Sequence, residues 1–194
     1  EILQRVTDGY RKLRNTARFA LGNLAGFDPT TDTIGEDELE ETDRWALAEL
    51  DRVVVKVLAA YEAYEFHSVY HALYNFATVT LSARYFDIIK DRLYIYSPRS
   101  HERRSAQTAL FRITDALCRL LAPLLAFTAD EAWQYIEHKP SEDRNLDSVH
   151  LALLPQPSGD EVSDDQRAEW QRVMELRDAA LAQRLDDRAV VGVS

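Results

Sequence analysis

Residues 65–94 read EFHSVYHALYNFATVTLSARYFDIIKDRLY, thirty positions without a glycine or a proline. Nothing in the run keeps the two-residue alternation of a strand. Its apolar residues return every three or four positions, the period of a helix. At 1.5 Å per residue the run makes a helix on the order of 45 Å long. The β-branched region Thr78-Val79-Thr80 is where it would kink, and Ser97-Pro98 ends it. A helix of this length needs neighbours to cover its apolar side, so the rest of the chain is read for more of them.

Upstream, Leu3, Val6, Tyr10, Leu13, Ala17, Ala20 and Leu24 trace one apolar stripe, closed by Gly26 and Asp28-Pro29. TTDTIGEDELEE (30–41) is an acidic connector, and a second helix is expected from about Thr42 to Tyr64. Downstream, a helix should run from about Ser100 to Leu121, where Pro123 stops or kinks it. The T-x-x-E pattern of Thr128 and Glu131 predicts a capping box for a short helix through AWQYIEH. Ser163 with Gln166 makes a second such pattern, opening a last helix to about Arg188. The fold class is therefore all-α: a bundle of four to five helices over 1–138, a linker over 139–162 whose apolar run is SVHLALL, and a trailing helical segment over 163–194.

A chain that is 46% hydrophobic is too apolar for disorder, and no run approaches the roughly 18 uncharged residues of a membrane span. It opens on Glu1 rather than Met, as a fragment or a processed chain would. The lone Cys118 gives no internal disulfide and no cysteine cluster for zinc, which points to a reducing, cytoplasmic setting and to a buried, inert thiol. There is no Gly-rich phosphate loop, no nucleophile elbow and no Glu-x-x-His pair. His67 and His71 stand at i and i+4 but lack a third ligand, so ordinary packing histidines are expected rather than a metal site, and no catalytic residue is assigned.

The formal net charge of −10 argues against a nucleic-acid partner, yet it hides segregation. Residues 1–25 carry five Lys/Arg against two carboxylates, 26–51 carry one against ten, and 84–112 carry seven against three. A polyanion feels the local potential within about 10 Å at 0.1 M salt, not the molecular total. On the first helix Arg11, Arg14 and Arg18, with Asn15 among them, form a polar stripe opposite the apolar one. Arginine grips phosphate in a fork, and an amide can read a base edge. The plainer alternative is a solvated cationic face paired with the acidic residues of 36–43. A second basic region comprises Lys90, Arg92, Arg99, Arg103 and Arg104, interleaved with Tyr85, Phe86, Tyr94 and Tyr96. Exposed aromatics beside arginines suit unstacked bases, although Phe86, Ile89 and Leu93 follow helical spacing and so belong in part to the core.

The strings YRKLRNTARFALGNLAGFDP, YEFHSVYHALYNF, LSARYFDIIKDRLY, RRSAQTAL and LAPLLAFTADEAW, in this order, resemble the helical anticodon-binding domain of isoleucyl-tRNA synthetases, class I enzymes. The blocks span roughly residues 1–137, and SVHLALLP with ELRDAALAQRLDDRAVVGVS is similar to the start of that family's C-terminal region. Valyl and leucyl enzymes share the bundle; RNT, EFH and DIIKDRLY favour isoleucyl. The resemblance implies binding of the tRNA(Ile) anticodon stem-loop and contact with the remaining domains of a parent synthetase that ligates isoleucine with ATP and Mg. The core that would do so, with its HIGH and KMSKS signatures, is not in these residues, so the chain itself should be non-catalytic and without cofactor. The family's basic-polar cluster falls here on Arg11, Arg14, Asn15, Lys90, Arg92, Arg103 and Arg104. The family's glutamate before Arg188 is replaced by Leu185-Asp186-Asp187. A structural or protein-interaction spacer with little RNA contact is the competing expectation.

Overall fold

The long helical run over 65–94 is present, but not as one uniform α-helix. A computed structural model describes residues 2–136, 146–158 and 162–191. It gives α3 (Phe66–Asn75), a π-helical stretch (Phe76–Tyr85) and α4 (Phe86–Ile95) in unbroken succession. The anticipated kink is thus a change of hydrogen-bond register rather than a break. Ser82 Oγ donates to the carbonyl of Ala77 at 2.7 Å and Thr78 Oγ1 to that of Tyr74 at 2.8 Å, so side-chain hydroxyls serve carbonyls within the widened turns. Thr16, 3% exposed, wedges against this stretch, 3.1 Å from Ser82 Oγ and 3.4 Å from the Ala77 carbonyl.

The chain divides into two units, Glu1–Ser158 and Gly159–Ser194. In the first, α1 (Ile2–Asn23), α2 (Glu41–Glu62), α5 (His101–Leu121) and α6 (Ala126–Gln134) join the α3–π–α4 run, making five helices when that run is counted once. The α5 helix lies at the centre, against α1, α2, α4 and α6. From Ser105 to Leu110 all its residues are buried, and Ile113, Leu117 and Leu120 continue that buried surface. Trp133 of α6 and Phe76, Leu81, Tyr85 and Ile89 of the long run complete the core, each at most 2% exposed. Cys118 is buried there as well, and burial pushes its thiol up to about 12.

Two of the expected helix starts can be compared directly. Ser163 caps the helix of the second unit, α7 (Asp164–Val191), accepting from the Gln166 backbone N–H at 3.2 Å. Thr128 caps nothing. The α6 helix begins two residues earlier, at Ala126, and the Thr128 hydroxyl instead shares a 3.1 Å hydrogen bond with Tyr10 of α1. Nor does that helix reach the expected His138: it ends at Gln134, where the N–H groups of Tyr135 and Ile136 turn back to the carbonyls of Ala132 and Trp133, each at 3.1 Å.

Gly26 closes α1 at φ +74°, where the chain reverses and buries Phe27 to 3% exposure. A Cβ is disfavoured there by about 1–2 kcal/mol. Gly26→Ala is therefore expected to reduce the unfolding free energy by about that amount, read as a lower urea midpoint at unchanged slope.

Candidate nucleic-acid interface

Three acidic residues of the connector, and one in the first turn of α2, reach the second basic region and its neighbours. Arg104 Nη1 sits 2.9 Å from Asp32 Oδ2, Arg112 Nη1 is 2.6 Å from Glu36 Oε1, and His101 Nδ1 is 3.5 Å from Glu40 Oε1. The fourth contact is the deepest. Asp43, fully buried, accepts from both Nη atoms of Arg92 at 2.9 Å, from the Tyr85 hydroxyl at 2.7 Å and from Ser105 Oγ at 2.5 Å. Arg92 also donates to Thr42 Oγ1 and to the Glu102 carbonyl. Burial first, then the neighbouring carboxylate and the hydrogen bond to it, hold the Tyr85 phenol well above its usual range, so it remains a donor. One carboxylate thereby ties α2, the π stretch, α4 and α5 together.

This corrects the expectation of a single cationic surface built from all the basic positions. Arg92 and Arg104 hold the bundle closed, with side chains only 13% and 15% exposed. Arg104 also lies over the Phe27 ring at 5.9 Å and bonds Gln107. Arg103 turns one Nη to the Tyr96 carbonyl at 3.2 Å and so steadies the turn before α5. Lys90 is half-exposed and paired with Asp87 at 2.7 Å; Arg99 is exposed. Of the four aromatics in this region, Tyr85 and Phe86 are core, while Tyr94 and Tyr96 stand out at 65% and 44% exposure. Phe86 stacks on Phe19 of α1 with ring centroids 4.2 Å apart.

The α1 stripe has the opposite character. Its inward side is Leu13, Thr16 and Ala20, all buried. Arg11, Arg14, Asn15 and Arg18 are all exposed. Arg11 approaches Asp8 only at 3.8 Å, one turn back on the same helix, a pair with both side chains more than half open to water and worth little. Arg14 and Arg18 form no ion pair with a described residue. Lys12, on the other side of the helix, donates to the Tyr74 hydroxyl at 2.9 Å, and that hydrogen bond raises its pKa.

Arg14 and Arg18 also edge a cleft of about 490 Å³ between α1 and α6. Leu21, Leu24, Phe27 and Phe111 give it apolar lining, and Glu131 of α6 and Tyr135, just past its end, line it as well. No sequence pattern pointed to this cleft, because the α6 contribution depends on where that short helix docks. Among the described residues no group of three His, Cys, Asp or Glu is placed to hold a metal, and no helix is long and apolar enough to cross a membrane.

Comparison with known proteins places this geometry in context. Residues 43–186 match the family described as the anticodon-binding domain of tRNA ligase. The chain is 50% identical over 178 residues to the isoleucine–tRNA ligase of Symbiobacterium thermophilum, an alignment covering 92% of this chain and 19% of that protein. It is 48% identical over 177 residues to that of Moorella thermoacetica, covering 91% and 19%, and 49% identical over 188 residues to that of Syntrophotalea carbinolica, covering 96% and 18%. The chain thus spans about one fifth of the length of these relatives.

Proposed function

The chain belongs to the family of anticodon-binding domains of tRNA ligases, and from that premise we propose that α1 docks the anticodon stem-loop of tRNA(Ile). One observation carries the reading. Carboxylates of the connector hold Arg104 and Arg112, and Asp43 of α2 holds Arg92, while Arg14 and Arg18 are exposed and form no ion pair with a described residue. In a molecule of net charge −10, two exposed arginines left unneutralised along one helix edge make a local phosphate-binding surface. Arg11 extends that row and Asn15 adds an amide able to donate to and accept from a base edge. Lys90, Arg99 and Arg103, beside the exposed Tyr94 and Tyr96, form a secondary contact for the same RNA, where stacking tolerates any base.

The parent protein, on this reading, is a cytoplasmic isoleucine–tRNA ligase whose ATP- and Mg-dependent chemistry belongs to regions outside these residues. This chain's part is to hold the RNA so that its distant acceptor end reaches that chemistry. The identities favour an isoleucyl parent over a valyl or leucyl one.

The test is fluorescence anisotropy of a labelled tRNA(Ile) anticodon stem-loop against the 194-residue chain across a salt series. Binding in the range of about 10⁻⁴ to 10⁻⁶ M is expected, weakening linearly in log–log form with a negative slope of about 0.7–0.9 per phosphate contacted. A hairpin of the same stem with a scrambled loop should bind more weakly. A flat salt response, or no binding at all, would leave the spacer reading in possession.

A further inference from the structure

We propose that the turn between α2 and α3, residues 62–67, is a docking element for another part of the parent ligase, one that presents an arginine or lysine set among apolar side chains. The inference rests on the reading of the parent as an isoleucine–tRNA ligase, not on where the RNA lies, and adds to it a protein-facing surface.

The turn carries backbone strain. Tyr64 has φ +56°, the one non-glycine with positive φ among the described residues. It follows the last turn of α2, where its N–H returns to the Tyr61 carbonyl at 3.0 Å and that of Glu65 to the Ala60 carbonyl at 2.8 Å. This closure ordinarily takes glycine, because a Cβ is strained in the left-handed region. Packing inside the domain does not offset that strain, since the tyrosine is 80% exposed. Its ring meets the edge of Phe66, with centroids 6.5 Å apart, and Phe66 meets Tyr61 at 6.1 Å. Three rings are thus held as a fixed group, with Tyr64 and Phe66 open to water. A strained residue that presents an aromatic ring to solvent implies a contact with something outside the domain.

Charge selects the kind of contact. Residues 57–83 contain no lysine or arginine, and Glu62 and Glu65 flank the rings, both exposed and neither in an ion pair with a described residue. Rings between unpaired carboxylates repel a polyanion. They attract a guanidinium or ammonium group, which lies over a ring face and pairs with a carboxylate at once. The α4–α5 turn is the contrast, because its exposed Tyr94 and Tyr96 stand among Lys90, Arg99 and Arg103. The two turns lie at opposite ends of the long helical run. Tyr61 Oη donates to the Leu120 carbonyl at 2.7 Å, which brings the α2–α3 turn to the end of α5. Just beyond, at the start of α6, Phe127 is 93% exposed, and residues 120–136 also lack lysine and arginine. This end of the first unit is therefore apolar and anionic. The chain spans about one fifth of the length of its relatives, so most of a parent of that size lies elsewhere and has surface to cover it.

Hydrogen–deuterium exchange on the 194-residue chain and on the full-length ligase that contains it, both without RNA, tests the proposal. Amides over 60–70 should exchange about tenfold or more slower in the ligase than in the chain alone, while those over 94–100 change by less than about twofold. Glu62→Lys combined with Glu65→Lys should remove most of that difference. Both carboxylates are exposed, and only Glu65 has a described hydrogen bond, from Ser68. Tyr64→Gly separates strain from contact. It should raise the melting temperature of the chain alone by about 2 °C or more, yet cut the protection of the turn in the ligase.

Equal exchange over 60–70 in the chain and the ligase would overturn the inference. So would slowing over 60–70 when an anticodon stem-loop is added to the chain alone, which would make this an RNA surface. Protection that survived the double charge reversal would overturn the cationic partner. If the chain bound no stem-loop while the ligase still protected the turn, α1 docking would fall and this surface would stand. Should the charge-reversed ligase fail to fold, Tyr64→Gly decides alone.

Discussion

Replacing Asp43 by alanine is expected to lower the unfolding free energy by about 3–5 kcal/mol, a large share of what a domain of this size commands. The side chain is completely buried and accepts four hydrogen bonds, two from Arg92 and one each from Tyr85 and Ser105. Without it, the Arg92 guanidinium keeps only Thr42 and the Glu102 carbonyl in a site 13% exposed, so a cation is left buried and uncompensated. Asparagine restores the shape but not the chemistry. It presents an amide NH₂ where an arginine, a phenol and a hydroxyl all donate, and should recover only a small part of the loss. Removing both charges is the informative control. Asp43→Leu with Arg92→Met should be much closer to the original stability than Asp43→Ala, since an apolar pair needs no compensation. Chemical denaturation followed by circular dichroism measures all three. An Asp43→Ala chain within about 1 kcal/mol of the original would show that the network does not hold the bundle together.

That network explains why the site was less legible in the sequence than the fold. Helix existence, order and most boundaries follow from local period, Gly and Pro, and the structure keeps them: α5 spans His101–Leu121 against an expected 100–121, and α2 spans Glu41–Glu62. The role of Asp43 could not be read this way, because its partners lie 42, 49 and 62 positions away in the chain. In sequence it was one of ten carboxylates in an acidic stretch, and only the docking of α2 against the π stretch and α5 singles it out. The same docking decides which arginines face water, so counting basic residues overstated the solvent-facing set. One structural feature did leave a signal that went unread. Val69, Leu73, Ala77, Leu81, Tyr85, Ile89 and Leu93 are all buried, at a strict spacing of four. On an α-helix of 3.6 residues per turn each such step drifts by about 40°, so the row would wind off the core face. The widened turns of Phe76–Tyr85 bring it back. An apolar row that holds to fours over six steps therefore marks underwinding, and the β-branched Thr78-Val79-Thr80 lie in the middle of it.

Arg14→Ala combined with Arg18→Ala is expected to weaken binding of the anticodon stem-loop about tenfold or more near 0.1 M salt, and to make the salt slope shallower by about 1.5 for two lost phosphate contacts. Stability should hardly change, since both side chains are exposed and form no ion pair with a described residue. Arg104→Ala should behave in the opposite sense. Its guanidinium is held by Asp32 at 2.9 Å and lies over Phe27, so its loss loosens the junction between the connector and α5 while leaving the salt slope intact. Arginine for arginine the charge change is the same, and Arg104 lies in the segment with the greater excess of cations, so charge alone would give each position a similar share of the salt slope. Geometry separates them. Equilibrium binding at several salt concentrations, paired with a denaturation curve for each variant, reads both properties at once. If Arg104→Ala moved the salt slope and the α1 pair did not, the RNA would lie on the α4–α5 side of the bundle, and the outward row on α1 would be no more than a solvated helix face.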